Sequence, residues 1–577
     1  MTPPFALPPL RRRDLLRGTL SLGGMAAMAP WVPAWARTIS PGLSAAAPAL
    51  SGEDIALRIA RQSIRIGQRS YPAIGINGTV PAPLLRLREG QRLRLHVENQ
   101  LDQDSSLHWH GLLVPAQFDG VPGVSFPGIR PRSSFLYDFP IRQSGTYWYH
   151  SHSGFQEQVG LYGPIIIDPE GPDPIESDRE HVILLSDHSA QSPELIFHRL
   201  KADPSYYNRQ QQTFAGLLAG RDQPLGKRLR WGAMRMSPAD IADVTAQAYT
   251  YLVNGHGPQD GWTALFRPGE RLRLRLINAS SMTIFDLRIP GLAMTVVQAD
   301  GQPVRPVETD EIQIGVAETY DVIVTPSGTH AYALVAESVD RSGMALATLA
   351  PREGMMAPVP ALRPRPLATM RDMGMDMGGM KGMAMGGGMS GMDMSMRNFA
   401  NAPAVKPGPG VQTIAPMPTD RTGEAGQGLA DAGHRVLTYH DLIAREVNPD
   451  TRAPGRSIDI HLTGNMERYM WSFDGVKMSD TMEPIALRQG ERVRIHLIND
   501  TMMAHPIHLH GHFFELVTGK GDHAPRKHTV LVQPGGKASF DLTADAPGDW
   551  AFHCHLLYHM ASGMMRVVSV RAAGDAA

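Results

Sequence analysis

Four short strings of the sequence each carry a histidine–x–histidine pair, and together they could hold metal ions. The strings are His108-Trp109-His110, His150-Ser151-His152, His508-Leu509-His510 and His553-Cys554-His555. In a β-strand, residues i and i+2 project from the same face and lie roughly 6.5–7 Å apart, so two such imidazoles can reach two different metal ions. Eight imidazoles exceed what one tetrahedral zinc site needs, and they predict a cluster of two or three metals.

Cys554 is the single cysteine of the chain, which excludes an internal disulfide framework. It lies between the two histidines of the fourth pair, so its side chain points to the opposite face of a strand and can bind a separate metal ion. His505 and His559 are its natural partners, and Met564 could serve as a weak axial ligand. A trigonal site of two histidines and one cysteine with a distant methionine is typical of electron-transfer copper.

The polypeptide itself would connect the two sites, because the sulfur is linked through the backbone to both flanking imidazoles. A zinc hydrolase would show His-Glu-x-x-His or a carboxylate ligand, and these strings contain neither. The remaining histidines near the motifs are interpreted as structural. His512 is assigned to packing or to support of the ligands, and His188, His523 and His528 are assigned to structure alone.

A repeated segment indicates the architecture. Gly90–Asn99, Gly269–Asn278 and Gly490–Asn499 are near-copies that alternate polar and apolar residues, as half-buried strands do. Short alternating runs broken by Gly and Pro predict an all-β chain of three β-sandwich domains. One helical candidate is Pro238–Ala246. The predicted domains span residues 50–170, 175–350 and 436–571. Because two histidine pairs fall in the first domain and two in the third, the metal cluster should lie where those domains meet.

The stretch before the third domain has a composition of its own. Residues 370–396 contain eleven methionines, separated mostly by Gly, Asp and Ser. Such a composition cannot build a packed core, so residues 351–435 are predicted to form a long, largely disordered linker. Thioethers are soft ligands that favour Cu(I), although a linker without any ligand role remains the alternative. The candidate Cu(I) ligands are Met373, Met375, Met377, Met380, Met383, Met385, Met389, Met392, Met394 and Met396.

The N-terminus has the features of an export signal. Arg11, Arg12 and Arg13 precede Asp14, Leu15 and Leu16, and an apolar stretch and the small-residue motif Ala34-Trp35-Ala36 follow. This order predicts a twin-arginine signal over residues 1–36, with an ordinary Sec signal or a disordered basic tail as the alternatives. We therefore expect the twin-arginine translocase to export the protein to a bacterial periplasm.

Charge and hydropathy narrow the range of partners. The formal net charge is −1, which argues against nucleic acid and against a polybasic membrane contact. Beyond the N-terminus the sequence shows no run of 18 apolar residues, so no stable membrane anchor is expected.

The four histidine strings, in this order, resemble the copper-binding signature of the multicopper oxidases, a family that includes laccases, ascorbate oxidase and ferroxidases. The resemblance implies three cupredoxin-like Greek-key domains, four copper ions and reduction of O₂ to water. It implies that Cys554, His505 and His559 hold the type 1 copper, with Met564 axial. It implies type 2 ligands at His108 and His508. The two type 3 sets it implies are His110, His150 and His555, and His152, His510 and His553.

Within that family the chain is similar to the periplasmic copper-resistance oxidases. The export signal, the Met-rich segment and the string from Trp231 to Met236 all fit that subgroup. Its implied activity is oxidation of Cu(I) to Cu(II), and often of small phenols, with periplasmic copper carriers as candidate partners. By analogy with related cuprous oxidases, Asp474 and Met478 are candidates for a Cu(I) access site. A laccase-type phenol oxidase and a copper-sequestering protein without turnover are the alternatives.

Asp119 is the candidate proton relay for oxygen reduction. It stands in Phe118-Asp119-Gly120-Val121-Pro122, which resembles the family string whose carboxylate lies near the type 2 copper. The alternative is a turn-forming Asp-Gly pair. The sequence also departs from some relatives, which place Glu directly after the last ligand histidine, where Met560 stands here. A second proton donor is therefore not evident from the sequence.

Overall fold

The structure is a computed structural model that describes residues 39–40, 42–43, 49–375, 395–480 and 483–572. The predicted signal at 1–36 lies outside the described residues. So do seven of the candidate methionines, namely Met377, Met380, Met383, Met385, Met389, Met392 and Met394. Within the described ranges, no helix has both the length and the apolar character needed to cross a membrane.

The first sandwich is built from nine strands. They are β1 (Ile39–Ser40), β2 (Asp54–Ile66), β3 (Arg69–Ile76), β4 (Leu85–Arg88), β5 (Arg92–Asn99), β6 (His108–His110), β7 (Ser134–Pro140), β8 (Gly145–His150) and β9 (Tyr162–Asp168). One sheet has the order β1-β2-β5-β7, with β3 on β2, and the other has the order β4-β9-β8-β6. In β5 every second residue is buried, as the first repeat predicts.

The second sandwich contains strands β10 to β20. They are β10 (Arg179–Ser189), β11 (Tyr249–Val253), β12 (Thr263–Leu265), β13 (Leu272–Asn278), β14 (Phe285–Arg288), β15 (Met294–Ala299), β16 (Gln302–Thr309), β17 (Glu311–Ile314), β18 (Thr319–Val324), β19 (Tyr332–Ser338) and β20 (Met344–Ala350). Its sheets have the orders β11-β10-β13-β18-β15-β16 and β12-β20-β19-β14-β17.

The helices of the second sandwich are not where the sequence indicated. They are α1 (Pro193–Ala202), α2 (Phe214–Leu218) and α3 (Leu225–Ala233), whereas the predicted helix at 238–246 is wrong. That segment forms turns instead. Its carbonyl and hydroxyl groups bond to a neighbouring loop, with Asn208 donating to the carbonyl of Ala239 and Thr245 donating to that of Tyr207. Tertiary contacts therefore override its helical propensity.

The third sandwich contains strands β21 to β32 and one short helix. The strands are β21 (Thr419–Asp420), β22 (Arg456–Asn465), β23 (Met470–Phe473), β24 (Ile485–Arg488), β25 (Arg492–Asn499), β26 (His505–Leu509), β27 (Phe514–Leu516), β28 (Arg526–Lys527), β29 (Thr529–Val532), β30 (Gly536–Thr543), β31 (Gly548–Cys554) and β32 (Met565–Arg571). The helix is α4 (Leu557–Ala561). The sheets have the orders β23-β22-β25-β30-β27-β28, with β21 on β30, and β24-β32-β31-β26-β29.

The three sequence repeats occupy the same place in each sandwich. They form β5, β13 and β25, and each is hydrogen-bonded in parallel to the long strand before it and antiparallel to a later strand. The predicted all-β architecture of three repeated sandwiches is thus confirmed. Six short 3-10 helices complete the described secondary structure, at Ala116–Phe118, Arg371–Met373, Phe399–Asn401, Tyr439–Asp441, Met478–Asp480 and Gly521–His523.

The segment before the third sandwich is more ordered than its composition predicts. Its flanks, 351–375 and 395–435, have little regular structure but are packed against the domains. Met373, Ala402 and Ile414 are buried. Arg363 pairs with Glu311 and Glu337 of the second sandwich, at 2.6 Å each. The prediction of a largely disordered linker is therefore wrong for these flanks, because their scattered apolar residues and ion pairs contact the domains.

Candidate metal centre

The strand pairing brings the histidine strings together. In the first sandwich β6 pairs with β8 so that His108 stands opposite His150. In the third, β26 pairs with β31 so that His508 stands opposite His553. The two sheet edges face one another: the ring centroids of His110 and His508 lie 3.8 Å apart. The predicted meeting of the first and third domains is what the structure shows.

All eight imidazoles of the four pairs lie in one group. Candidate donor atoms within 4.8 Å of one another define overlapping sets. Two of them match the triplets that the family resemblance implies for type 3 copper, and a third contains both implied type 2 ligands. The sets are His110, His150 and His555; His152, His510 and His553; and His108, His110 and His508.

Unpartnered nitrogens show that the group fits metal ions. Nδ1 of His108 and Nδ1 of His508 bond to the carbonyls of Asp119 and His528, at 2.7 Å each. With one nitrogen of each ring so engaged, the other is left buried without a hydrogen-bond partner in the described structure, which is costly for a polar atom unless a ligand occupies it. The buried ring nitrogens without a hydrogen-bond partner are Nε2 of His108, His150, His152, His508 and His555, and Nδ1 of His110.

Burial keeps these histidines in the form that binds metal. Desolvation, reinforced by the neighbouring imidazoles, lowers the pKa of His110, His150, His508 and His510 well below the ordinary value. It also lowers the pKa of His553 to about 4. The rings are therefore neutral near pH 7, and a neutral imidazole is the metal-ligating species.

The second predicted site lies around Cys554. Its Sγ is 3.6 Å from Nδ1 of His505 and 3.9 Å from Nδ1 of His559, and the two nitrogens are 3.2 Å apart. Met564 is also fully buried, and its carbonyl accepts a hydrogen bond from the Cys554 amide. Burial raises the pKa of the Cys554 thiol, so a metal ion must displace its proton on binding.

Residues from other elements hold the two imidazoles of this site, and sequence reasoning missed them. Trp471 stacks on His559 with centroids 3.9 Å apart. Asp243 Oδ2 accepts a hydrogen bond from Nε2 of His559 at 2.7 Å, and Thr501 Oγ1 lies 2.8 Å from Nε2 of His505. No local motif marks Asp243 and Trp471, because the tertiary fold brings them to the site, whereas Thr501 lies only four residues before His505.

The predicted carboxylate Asp119 lies among the candidate ligands of the eight-histidine group. It follows the 3-10 turn Ala116–Phe118 and is fully buried. Its Oδ2 accepts from Nδ1 of His510 at 2.9 Å, in addition to the backbone contact with His108. Gly120 follows with φ +83°, and a Cβ there would lie 1.9 Å from the carbonyl oxygen of Leu107. The Asp-Gly pair therefore makes the turn and also places the carboxylate.

A second buried carboxyl contacts the group and was not predicted. Glu157 Oε2 lies 2.6 Å from Nδ1 of His150, and the side chain is 4% exposed. Burial, aided by nearby Asp187, raises its pKa well above the ordinary value. The only signal in the sequence is an acidic residue between two glutamines shortly after the second histidine string.

The other histidines mostly have the structural roles expected of them. His512 donates to the carbonyl of His510, His523 bonds to the carbonyl of Ala444, and His188 packs against Tyr71. His528 is closer to the centre than predicted. Its ring centroid lies 4.8 Å from that of His110.

Of the two candidates for Cu(I) access in the third domain, Asp474 has other partners, whereas Met478 is partly exposed. Asp474 accepts from the His461 amide at 2.8 Å and from Arg566 at 2.9 Å, so both of its oxygens have partners. Met478 is 36% exposed, and its amide donates to the carbonyl of Gly563.

Methionines do gather elsewhere, beside a cavity. Met373, Met375 and Met396 belong to an apolar cluster around Trp231 and Met502. Next to this cluster lies a cavity of about 810 Å³. Its lining includes Met236, Met466, Met502, Asp240 and Asp243, the last of which reaches His559.

Comparison with known proteins identifies the family. Three multicopper oxidase domain models match residues 59–172, 229–353 and 451–574. Copper resistance protein A of Pseudomonas syringae pv. tomato is 46% identical, covering 97% of this chain and 99% of the relative. Copper resistance protein A of Escherichia coli has the same identity and coverage. Multicopper oxidase MmcO of Mycobacterium tuberculosis is 31% identical over 89% of this chain and 86% of its own length.

Solved structures share the fold. Fet3p, a multicopper oxidase that functions in iron import, aligns with a TM-score of 0.64 at 20% identity, covering 90% of both chains. The laccase from Botrytis aclada aligns with a TM-score of 0.62 at 22% identity, covering 90% of this chain and 88% of its own. With its relatives and its domain models in agreement, the chain belongs to the multicopper oxidase family and is an oxidoreductase with copper cofactors.

Proposed function

We propose that this protein couples oxidation of Cu(I) to reduction of O₂ in the periplasm, and so serves copper resistance. Four Cu(I) ions lose one electron each, and O₂ takes up four electrons and four protons to give two water molecules. The observation that carries this proposal is the cavity whose wall joins methionines and carboxylates to His559. The high identity to copper resistance protein A of two bacteria supports the physiological role.

Four copper ions are assigned to the two groups. His505, Cys554 and His559 would hold type 1 copper, with Met564 as a further candidate ligand, and His108 and His508 would hold type 2 copper. The sets His110, His150 and His555, and His152, His510 and His553, would hold the type 3 pair. Bound copper supplies the one-electron redox chemistry that joins a one-electron donor to a four-electron acceptor. Cys554 is bonded through the backbone to both His553 and His555, which would provide a short covalent path between the two groups.

The cavity has the chemistry of a Cu(I) substrate site. Met236, Met466 and Met502 offer soft thioethers, which select Cu(I) over harder cations. Asp240 lies beside them, and burial raises its pKa to about 6. Asp243 then connects the cavity to His559 through its hydrogen bond. A substrate ion at this wall would be one side chain away from a type 1 ligand.

Protons for water formation would pass through Asp119. Its carboxylate contacts His510 and its backbone carbonyl contacts His108, so it spans ligands from the first and third sandwiches. His152 lines a second cavity of about 880 Å³, which gives small molecules an approach to the larger group. Small phenols fit the volume of the methionine-lined cavity, and we expect them as alternative donors.

Replacing the cavity methionines tests the substrate. In Met236→Leu/Met502→Leu, the apolar volume is kept while two thioethers are lost. We expect kcat/KM for Cu(I) to fall about tenfold or more while turnover of a small phenol persists. Met356→Leu is the matched control, because that side chain is 89% exposed. Equal losses for Cu(I) and for the phenol would argue against a Cu(I) site in this cavity.

A further inference from the structure

A lysine without exposed surface lies between the second and third sandwiches. Lys527 Nζ is 3.0 Å from Asp300 Oδ2 and 3.0 Å from Glu318 Oε1, and both carboxylates belong to the second sandwich. The rings of Tyr320 and Tyr439 lie over the ammonium, with centroids 5.1 and 5.5 Å away. Burial by itself would lower the pKa of Lys527, but the two facing carboxylates raise it, so the group is charged.

Stability alone does not explain such a cluster. Removing two or more charges from water is expensive, and well-packed apolar residues are often as stable as a buried ion pair. A buried charge cluster is more readily explained if it fixes the position of neighbouring groups. The contacts made by Asp300 identify those groups.

Asp300 fixes the backbone at the start of β29. Its Oδ2, the atom that pairs with Lys527, also accepts hydrogen bonds from the amides of His528 at 3.2 Å and Thr529 at 3.1 Å. Its Oδ1 accepts from the amide of Thr319 at 3.1 Å. Both oxygens are therefore held, and the second sandwich is bonded directly to two consecutive residues of the third.

Those two residues in turn orient candidate copper ligands. The carbonyl of His528 accepts from Nδ1 of His508 at 2.7 Å. Thr529 Oγ1 lies 3.2 Å from that same nitrogen and 3.3 Å from Nε2 of His110. A hydrogen bond to one nitrogen of an imidazole sets the tautomer and the direction of the other nitrogen. For His508, the nitrogen left free is the buried Nε2.

We propose that Asp300, paired with the Lys527 ammonium that also contacts Glu318, is a positioning residue for the copper ligands His508 and His110. The second sandwich contributes none of the assigned ligands, yet through Asp300 it sets the orientation of two of them. The inference rests on the ligand assignment given under the proposed function. It does not depend on whether Cu(I) is the substrate.

The test compares copper binding in two buried-carboxyl variants. Asp300→Asn keeps the volume of the side chain but removes the charge that faces Lys527. We expect the type 2 electron paramagnetic resonance signal to change, and the type 2 copper to be retained about tenfold or more weakly against a chelator. The blue absorption of the type 1 copper should be unchanged, since Cys554 and its partners do not contact this cluster.

Asp321→Asn is the matched control. Asp321 is fully buried in the same sandwich and pairs with Arg273 and Arg275, away from the ligands. It should lower the melting temperature without altering the type 2 signal. If Asp300→Asn does not fold, Thr529→Val replaces it, because this change removes only the hydroxyl that faces His508 and His110.

The outcomes separate this inference from the proposed function. An Asp300→Asn protein with the wild-type type 2 signal and copper retention equal to that of Asp321→Asn would overturn the positioning role. If the wild-type protein does not oxidise Cu(I), but Asp300→Asn still weakens retention of the type 2 copper, the proposed substrate is wrong and the positioning role is supported. A wild-type protein without type 2 copper would overturn both.

Discussion

Asp243, on the wall of the methionine-lined cavity, accepts a 2.7 Å hydrogen bond from Nε2 of His559, whose other nitrogen faces Cys554. The bond joins the second sandwich to the third and leaves one imidazole between the cavity and the sulfur. Tyr469 donates a second hydrogen bond to the same Asp243 oxygen at 2.9 Å, which holds the carboxylate in place. The proposed substrate cavity and the proposed type 1 site therefore meet at one carboxylate.

Asp243→Asn should slow Cu(I) oxidation and raise the type 1 potential. Removing a negative charge beside His559 disfavours the more positive, oxidised copper, and it also removes a ligand group from the cavity. We expect kcat/KM for Cu(I) to fall about tenfold, with the blue absorption retained. Redox titration and oxygen uptake measure the two effects. Asp203→Asn, at the rim of the same cavity, is the control, and an unchanged potential in Asp243→Asn would contradict the account.

Glu157 should be needed for copper retention at the set that includes His150. Glu157→Leu removes the nearer acceptor for Nδ1 of His150, at 2.6 Å, and leaves the Ser151 carbonyl at 3.3 Å, whereas Glu157→Gln keeps an oxygen there. We expect the Leu variant to lose copper about 10- to 100-fold more readily than wild type, and the Gln variant to lie between them. Copper content after dialysis against a chelator decides this. A Leu variant that retains copper as well as the exposed control Glu170→Gln would refute the role.

Acid should destabilise the copper-free protein. Burial depresses the folded-state pKa of His553 to about 4, below its unfolded value, so the unfolded chain binds more protons as the pH falls below about 6.5. Stability is then present at neutral pH and is lost on acidification. This residue alone accounts for about 1–2 kcal/mol between pH ~6.5 and ~5.

Thermal unfolding of the copper-free protein across this pH range tests the sign. The melting temperature should fall as the pH decreases, and the slope should be smaller in His553→Gln, which cannot take up the proton. A wild-type slope that the His553 substitution leaves unchanged would show that other groups control the pH dependence.

The sequence predicts features that depend on local spacing, and it does not predict contacts that form only when distant segments meet. The histidine pairs were evident because strand periodicity places residues i and i+2 on one face, and the repeats at β5, β13 and β25 fixed the architecture. Asp243 was not evident, because it lies 316 residues from His559 and comes from a segment predicted to be helical. Its role exists only after the second and third sandwiches dock.

Glu157 and Asp300 escaped prediction for the same reason. Each is a single acidic residue in a turn, and only its buried contacts with His150 or with the amides of β29 give it a role. The linker shows the opposite error. The Gly- and Met-rich composition of its centre led to a prediction of disorder for the flanks as well. In those flanks, Arg363 and Met373 are packed against the domains.

The Met-rich segment should contribute to Cu(I) use and not to catalysis itself. Replacing by serine the seven methionines between Met375 and Ser395 removes soft ligands while keeping the length of the chain. We expect the rate at low Cu(I) concentration to fall and phenol turnover to persist, measured by oxygen uptake with each donor. Equal rates for both proteins at every Cu(I) concentration would indicate a linker without a ligand role.

The most direct test of the account is oxygen uptake by the copper-loaded protein with Cu(I) as the sole electron donor, beside the same measurement on Cys554→Ser. The account predicts one O₂ consumed for every four Cu(I) oxidised, and no uptake in the variant, because the proposed assignment makes the sulfur both a type 1 ligand and the start of the electron route. A protein that holds its four copper ions but consumes no oxygen, or a Cys554→Ser variant with undiminished uptake, would contradict it.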